Sequence, residues 1–475
     1  MQTKNPYLIY CGGEFIATHR TLEVADHSDG GLAGITFLAG ELELEQAIAA
    51  AGAVEEEMAA MPSYIRHRIL KQIGETLLTQ KQAFGELIAR ESGKPIRYAL
   101  GEVDRSVQSF IVAAEESKRL PNEYLSVDWT PAGQGKEAFV KYFPVGIVAG
   151  IAPFNFPLNL AVHKIAPAIA AGCPIILKPS SLTPLTTLLL AHIIADTELP
   201  KGAVSILPMD RTTGNRLVTD ERIGLLSFTG SPEIGWQMKR DARKKKVVLE
   251  LGGNAGAIIS QGTDLDSAVS KCVVGAFAYS GQVCIHTQRI FVLENLFHDF
   301  VEKFVAKAKT MRFGNPLDPE TDMAGMIDLV NAKRIERWVE DAVAGGARIL
   351  LGGKREGKFM PPTVLTATLE AMQVFADEVF GPVVVIEPVA DFQEAIDKVN
   401  AGRFGLQAGV FTDSISEMNL AFSRLKVGGV IINDVPTFRV DHTPYGGIKD
   451  SGLGREGIKY AMMDMMEPRL LVKGF

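Results

Sequence analysis

Between residues 145 and 251, short apolar runs alternate with longer segments of helical character. The runs Val145-Gly146-Ile147-Val148-Ala149-Gly150-Ile151 and Pro174-Ile175-Ile176-Leu177, with 203–207, 223–228 and 247–251, do not alternate polar with apolar. A strand apolar on both sides must be covered on both faces, and the segments 158–171 and 185–196 read as covering helices. The pattern predicts an α/β fold with a parallel sheet. A second set follows: helix 264–280, strand 289–293, helices 296–310 and 331–344, strands 347–351 and 383–387, helix 392–400, strand 408–411, helix 416–424 and strand 430–433. Two α/β units are therefore expected, as 475 residues are too many for one simple core.

The remaining chain reads differently. Residues 41–118 are helical in character, with Ile65, Ile69, Ile73 and Leu77 at four-residue spacing. Residues 119–141 read as an antiparallel hairpin, with strand character at 125–129 and 137–142 about a Pro-Ala-Gly-Gln-Gly turn. The tail from Met466 to Val472 reads as a strand that joins this hairpin or another subunit.

Bulk properties narrow the function. A net charge of −7 argues against a nucleic-acid binder, which needs a basic face. Cys11, Cys173, Cys272 and Cys284 lack disulfide or metal spacing, which fits a reducing cytoplasm and gives no metal site. The N-terminus shows no signal peptide. The uncharged run 142–162 is long enough to span a bilayer, but Pro144, Pro153 and Pro157 speak against a spanning helix, so no membrane partner is expected.

Four stretches carry candidate chemistry. Phe228-Thr229-Gly230-Ser231-Pro232-Glu233-Ile234-Gly235 leaves a strand and opens a helix. Gly230 admits close backbone approach, Ser231 can cap the helix, and the helix N-terminus favours an anion; a plain turn is the alternative. Lys178 closes a parallel strand, where such sheets bind ligands, or is simply a solvated lysine. Asn155, in Pro153-Phe154-Asn155-Phe156-Pro157, can donate to an oxyanion or merely serve the turn. Cys284, in Ser280-Gly281-Gln282-Val283-Cys284-Ile285-His286, is a candidate nucleophile, with Glu250 as the base for the thiol or for water. A free cysteine is also often a buried small hydrophobe, the default for the other three.

Taken together, these stretches resemble the NAD(P)-dependent aldehyde dehydrogenases over essentially the whole chain. The resemblance also rests on Lys178-Pro179-Ser180, Glu250-Leu251-Gly252-Gly253, Glu378-Val379-Phe380-Gly381-Pro382, Pro444-Tyr445-Gly446-Gly447-Ile448-Lys449 and Ser451-Gly452, in family order. It implies that Cys284 attacks the aldehyde, that Asn155 holds the oxyanion, and that Glu250 activates the hydrolytic water. It implies a cofactor held by Ile151, Ala152, Pro153 and Phe154, by Lys178, Ser180 and Ser181, by Gly230, Ser231 and Ile234, and by Leu251, Gly252, Glu378 and Phe380. The implied architecture is a Rossmann-like cofactor domain (1–118 and 142–251), an α/β catalytic domain (252–443) and a small β oligomerisation unit (119–141 and 458–475). A homodimer or homotetramer goes with it.

Departures from the family pattern bear on specificity. Ser181 stands where many NAD-specific relatives carry a glutamate that would repel a 2′-phosphate, so either NAD or NADP is expected to be accepted. The lysines 244–246 read as a solvated strand entrance. His163 replaces a large aromatic residue, and the loop 434–443 carries Phe438, Arg439 and His442. With Arg105, these point to a small hydroxylated or anionic aldehyde, and the loop resembles the lactaldehyde and glyceraldehyde-3-phosphate branch. Arg439 can equally be structural, paired with Asp441 or Asp434. Val283 and Ile285 flank the thiol, and Val283 weighs against a phosphate clamp beside it. The rival readings are transfer of the acyl group to coenzyme A, disfavoured by Glu250, and a non-catalytic binding or structural protein on this fold.

Overall fold

The computed structural model describes residues 6–474. Among them, the first sheet has eight strands, in the order Glu14–Ile16, Ile9–Cys11, Val204–Ile206, Ile175–Lys178, Ile147–Ile151, Ile223–Thr229, Lys246–Glu250 and Gly452–Leu453. The five strands expected from the apolar runs form its centre and are mutually parallel. Strand order reverses on either side of Ile147–Ile151, so the loops following this strand and Ile223–Thr229 open onto a crevice at their carboxyl ends. Ligands bind at such switch points.

The second sheet runs Arg348–Leu351, Thr363–Thr366, Val383–Val389, Thr287–Leu293, Ala255–Ile259, Gln407–Phe411 and Gly429–Ile432. All of its pairings are parallel except that of Arg348–Leu351. A third sheet joins Met466–Gly474 to Lys136–Pro144 and then to Glu123–Ser126. The C-terminal strand therefore pairs with the hairpin of its own chain, in register from Met466 opposite Pro144 to Gly474 opposite Lys136.

The helix Asn159–Ala171 shows how sequence sets packing. All of its residues are buried, and its alanines let Ser63–Thr79 and Ile96–Glu116 approach closely. Gly172 ends it at φ 86°, and a β-carbon there would lie 2.8 Å from the Met58 carbonyl. Fully burying a leucine- or isoleucine-sized side chain contributes about 1.5–3 kcal/mol, so this apolar face supplies most of its stability.

Several boundaries shift. The helix expected over 264–280 ends at Phe277, because Tyr279 and Ser280 take positive φ values of 52° and 53°. The first hairpin strand stops at Ser126 rather than 129. Strands between residues 9 and 37, and at Ala255–Ile259 and Thr363–Thr366, had no counterpart in the sequence reading.

Candidate active site

A cavity of about 550 Å³ opens where the crevice of the first sheet meets the second. Pro153, Phe154, Asn155, Gly230, Ser231, Glu250, Leu251, Gly252, Cys284, Glu378 and Phe380 all line it. They come from five separate stretches of chain, which the fold brings to one wall.

The loop carrying Asn155 is fixed from below. Glu102 accepts hydrogen bonds from the backbone amides of Leu158 and Asn159, at 2.9 and 3.1 Å, at the start of the following helix. Lys94 pairs with Glu102, and its ammonium lies 3.6 Å from the Phe156 ring centre. Asn155 is buried, and its Nδ2 donates to the Gln282 carbonyl at 3.0 Å, two residues before Cys284.

The Cys284 loop begins with three successive residues at positive φ: Tyr279, Ser280 and Gly281. Such a run is strained for the two side-chain-bearing residues and survives because the surroundings hold it. Ser280 Oγ donates to the Ala324 carbonyl at 2.6 Å, and Tyr279 Oη to that of Ser92 at 3.2 Å. A β-carbon on Gly281 would lie 2.2 Å from the Gly381 carbonyl. Cys284 Sγ sits 3.0 Å from Tyr445 Oη. Burial pushes the thiol up to about 11. His286 is buried and neutral, burial pushing it down to about 3.

Glu250 ends its strand with both carboxylate oxygens buried and without a hydrogen-bond partner among the described residues. Burial, reinforced by Glu456, raises its pKa well above the usual carboxylate range. Lys164 and Arg439 both lower the pKa of Glu456, which stays ionised against its own burial. Lys164 Nζ reaches Thr229 Oγ1 at 2.8 Å and Glu456 Oε1 at 3.4 Å. Two carboxyls with pKa values driven apart are how one site holds both a proton acceptor and a fixed charge.

Glu378 lines the same cavity as Cys284. Its Oε1 accepts from the Gly253 amide at 2.9 Å, and burial raises it to about 7. A β-carbon on Gly252 would lie 2.3 Å from Glu378 Oε2. Gln288 and Asn254 anchor this loop through the carbonyls of Val374, Phe375 and Asp377. The Phe154 and Phe380 rings meet edge to face at 5.9 Å.

Other expected site residues lie elsewhere. Lys178, the last residue of its strand, and Ser180 and Ser181 just beyond it are half-buried, while Ile151 and Ala152 are buried and do not line the cavity. Ile234 lines a separate groove with Arg211, Thr212 and Asn215. Ser231 occupies the N-cap position but makes no capping hydrogen bond, contrary to expectation. Pro232, next in the chain, has no amide proton, so the helix start keeps its remaining amides for another acceptor.

The basic residues form a network. Arg105 donates twice to Asp441, at 2.6 and 3.1 Å. His163 Nε2 lies 2.9 Å from the same carboxylate and is held neutral by burial and by Arg439. Arg439 donates to Glu456 at 2.8 Å, lies 3.6 Å from Asp441, and stacks 3.8 Å from the Tyr445 ring centre. Asp434 pairs instead with Lys271. Phe438 and His442 are exposed, Val283 is half-buried, and Ile285 packs with Tyr445 and Leu406.

Sequence reasoning missed Lys164, Glu456, Gln288 and Asn254, and saw Tyr445 only within a motif. Lys164 carried a readable signal: it is the one Lys, Arg, Asp or Glu in an otherwise uncharged, alanine-rich helix.

A parallel-sheet crevice with an uncapped helix start thus lies beside a half-buried thiol and an unpartnered carboxyl. Comparison with known proteins gives the class. The profile of the aldehyde dehydrogenase family matches residues 15–471. A 3-sulfolactaldehyde dehydrogenase of Priestia aryabhattai is 40% identical, over 98% of each chain. The structure of aldehyde dehydrogenase 21 from Physcomitrella patens, in complex with the reaction product succinate, is 44% identical, with a TM-score of 0.97 over 99% of both chains. The NADP complex of an NADP-dependent glyceraldehyde-3-phosphate dehydrogenase from Bacillus halodurans C-125 is 33% identical, with a TM-score of 0.96 over 99% of this chain and 100% of that one. The chain belongs to the aldehyde dehydrogenase family. It is an NAD(P)-dependent enzyme that oxidises an aldehyde. Among the described residues, no helix is long and apolar enough to cross a membrane.

Proposed function

We propose that the chain oxidises a small hydroxylated or anionic aldehyde to its carboxylate, with Cys284 as nucleophile. The thiolate adds to the carbonyl carbon, forming a C–S bond and an oxyanion. The Asn155 side chain, already beside the Cys284 loop, and the Cys284 amide donate to that oxygen. The hydride lost from the same carbon would pass to a nicotinamide cofactor, which would supply the two-electron acceptor when bound. Glu250 then takes a proton from water as that water adds to the Cys284 thioester, and C–S cleavage releases the acid. The observation that carries this reading is Glu250 itself: a buried carboxyl with two unsatisfied oxygens on the wall that holds Cys284.

The residues present fit the cofactor. Gly230 has no room for a β-carbon, which would lie 2.4 Å from the Phe228 ring, so backbone alone faces the cavity there. Ser231 and the uncapped helix start would hold the pyrophosphate, Lys178 the adenosine ribose and Glu378 the nicotinamide ribose. Phe380 would pack beside the nicotinamide. Ser181 leaves room and no negative charge for a 2′-phosphate, and burial has partly desolvated Lys178 nearby. These features support use of NADP as well as NAD.

An anionic substrate is supported by Arg439, which stacks on the tyrosine that meets the thiol, and by Arg105, which shares Asp441 with it. A guanidinium has five N–H donors, so Arg105 and Arg439 retain donors beyond those given to Asp441 and Glu456. The three similar proteins described above are named for, or bound to, three- and four-carbon anionic compounds. A panel of lactaldehyde, succinate semialdehyde, glyceraldehyde-3-phosphate and a long-chain aldehyde, each with NAD and NADP, tests the proposal. Highest kcat/KM is expected on a small polar aldehyde, with both cofactors turned over. A preference for the long-chain aldehyde would refute the polar site, and failure with NADP would refute the role of Ser181. Acyl-CoA formation when coenzyme A is added would replace hydrolysis by transfer.

The three largest sheets, which are separate, support the division into a cofactor unit, a catalytic unit and a small oligomerisation unit. In the last, Leu470, Leu471 and Val472 are 59, 54 and 47% exposed on a strand at a sheet edge. An uncovered apolar edge of this kind invites pairing, which supports a homodimer or homotetramer. Sedimentation at the 51.4 kDa monomer mass at micromolar concentration would refute self-association.

A further inference from the structure

Tyr445 reaches the nucleophile from 161 positions away in sequence, and its hydroxyl has Cys284 Sγ, at 3.0 Å, as its hydrogen-bond partner among the described residues. The contact is built rather than incidental. Tyr445 is buried, and its backbone is pinned to Glu456 by a reciprocal pair of hydrogen bonds at 3.0 and 2.6 Å. Its ring packs among Ile285, Leu406 and Val283, beside the sulfur. The Arg439 guanidinium lies 3.8 Å from the ring centre, and a cation over an aromatic face draws electron density from it, making the phenol a better donor.

The sulfur needs such a donor. Burial disfavours the thiolate, and Glu250 and Glu378, on other segments facing it, oppose its negative charge. Against them stand Arg439 and the Tyr445 hydroxyl. With the neutral thiol, S–H donates to the phenol oxygen; with the thiolate, the phenol O–H donates to sulfur. The second arrangement is charge-assisted and the stronger, so the contact favours ionisation.

We infer that Tyr445 is a further catalytic residue, whose hydroxyl holds the Cys284 thiolate and sustains the fraction of sulfur able to attack the aldehyde. This rests on Cys284 being the nucleophile.

The test is the pH dependence of Cys284 alkylation by iodoacetamide on the full chain, read by mass mapping of the Cys284 peptide. Tyr445→Phe removes the hydroxyl alone. The apparent pKa of the thiol is expected to rise by about one unit, cutting the thiolate population at a fixed lower pH about tenfold. The rate of the first turnover should fall by a similar factor, with KM little changed. A folded Tyr445→Phe protein, with unchanged Tm and cofactor affinity but an unshifted alkylation profile, overturns the assignment. Replacing tyrosine by the more acidic 3-fluorotyrosine, in a chain otherwise unsubstituted, is expected to lower the thiol pKa; no movement there also overturns it. Failure of the underlying reading looks different, because Cys284→Ser would then keep its turnover whatever the alkylation profile.

Discussion

Glu250→Gln is expected to give one burst of reduced cofactor per active subunit and then nearly stop, with the steady rate lowered about 10²- to 10⁴-fold. Glutamine keeps the size of the side chain but cannot accept the proton of water. Acylation asks nothing of Glu250, so Cys284 still attacks and the thioester accumulates. Stopped-flow absorbance of the reduced cofactor, with intact mass of the acylated protein, reads both phases. A variant without a burst would place Glu250 in activation of the thiol instead. The native enzyme carries a related pH signature. Glu250 works as a base only when ionised, and burial and Glu456 raise its pKa. Deacylation therefore weakens as pH falls, starting from a higher pH than an ordinary carboxylate would set.

Cys284→Ser is expected to remove the burst and the steady rate together, by about 10⁴-fold or more. A serine hydroxyl in this pocket is far less acidic than a thiol, and burial disfavours its alkoxide further. Cofactor binding should persist, because the glycine-rich backbone, Ser231 and Glu378 are untouched. Retained turnover would overturn the nucleophile and everything built on it. The two variants separate the half-reactions: one stops before the thioester, the other after it.

What was legible in the sequence follows from physical reach. The central parallel strands were visible because each is apolar along its length, as burial on two faces requires. The loops bearing Asn155, Ser231 and Cys284 were visible because glycine, proline and polar residues interrupt those runs. Ile9–Cys11 and Glu14–Ile16 escaped because three residues show no periodicity. Ala255–Ile259 escaped because it opens Ala-Gly-Ala, without the β-branched residues that advertise a strand. The charge of Arg439 could be read, but not its main partner, Glu456. Nor could the contact of Tyr445 with Cys284 be read, since nothing local links residues so far apart. Ser231 was misjudged because the capping preference of serine is a tendency, and here the side chain leaves the helix start open.

The topology of the first sheet also bears on how the chain comes off the ribosome. Its strands span residues 9 to 453, and Gly452–Leu453 pairs with Lys246–Glu250. The hairpin strand Lys136–Pro144 waits still longer, for Met466–Gly474. The first sheet is thus complete only once Gly452–Leu453, far beyond Lys246–Glu250 in the chain, has been made. Until Met466–Gly474 emerges from the exit tunnel, a nascent chain carries an unpaired sheet edge and an open apolar surface, the conditions under which chaperones are engaged.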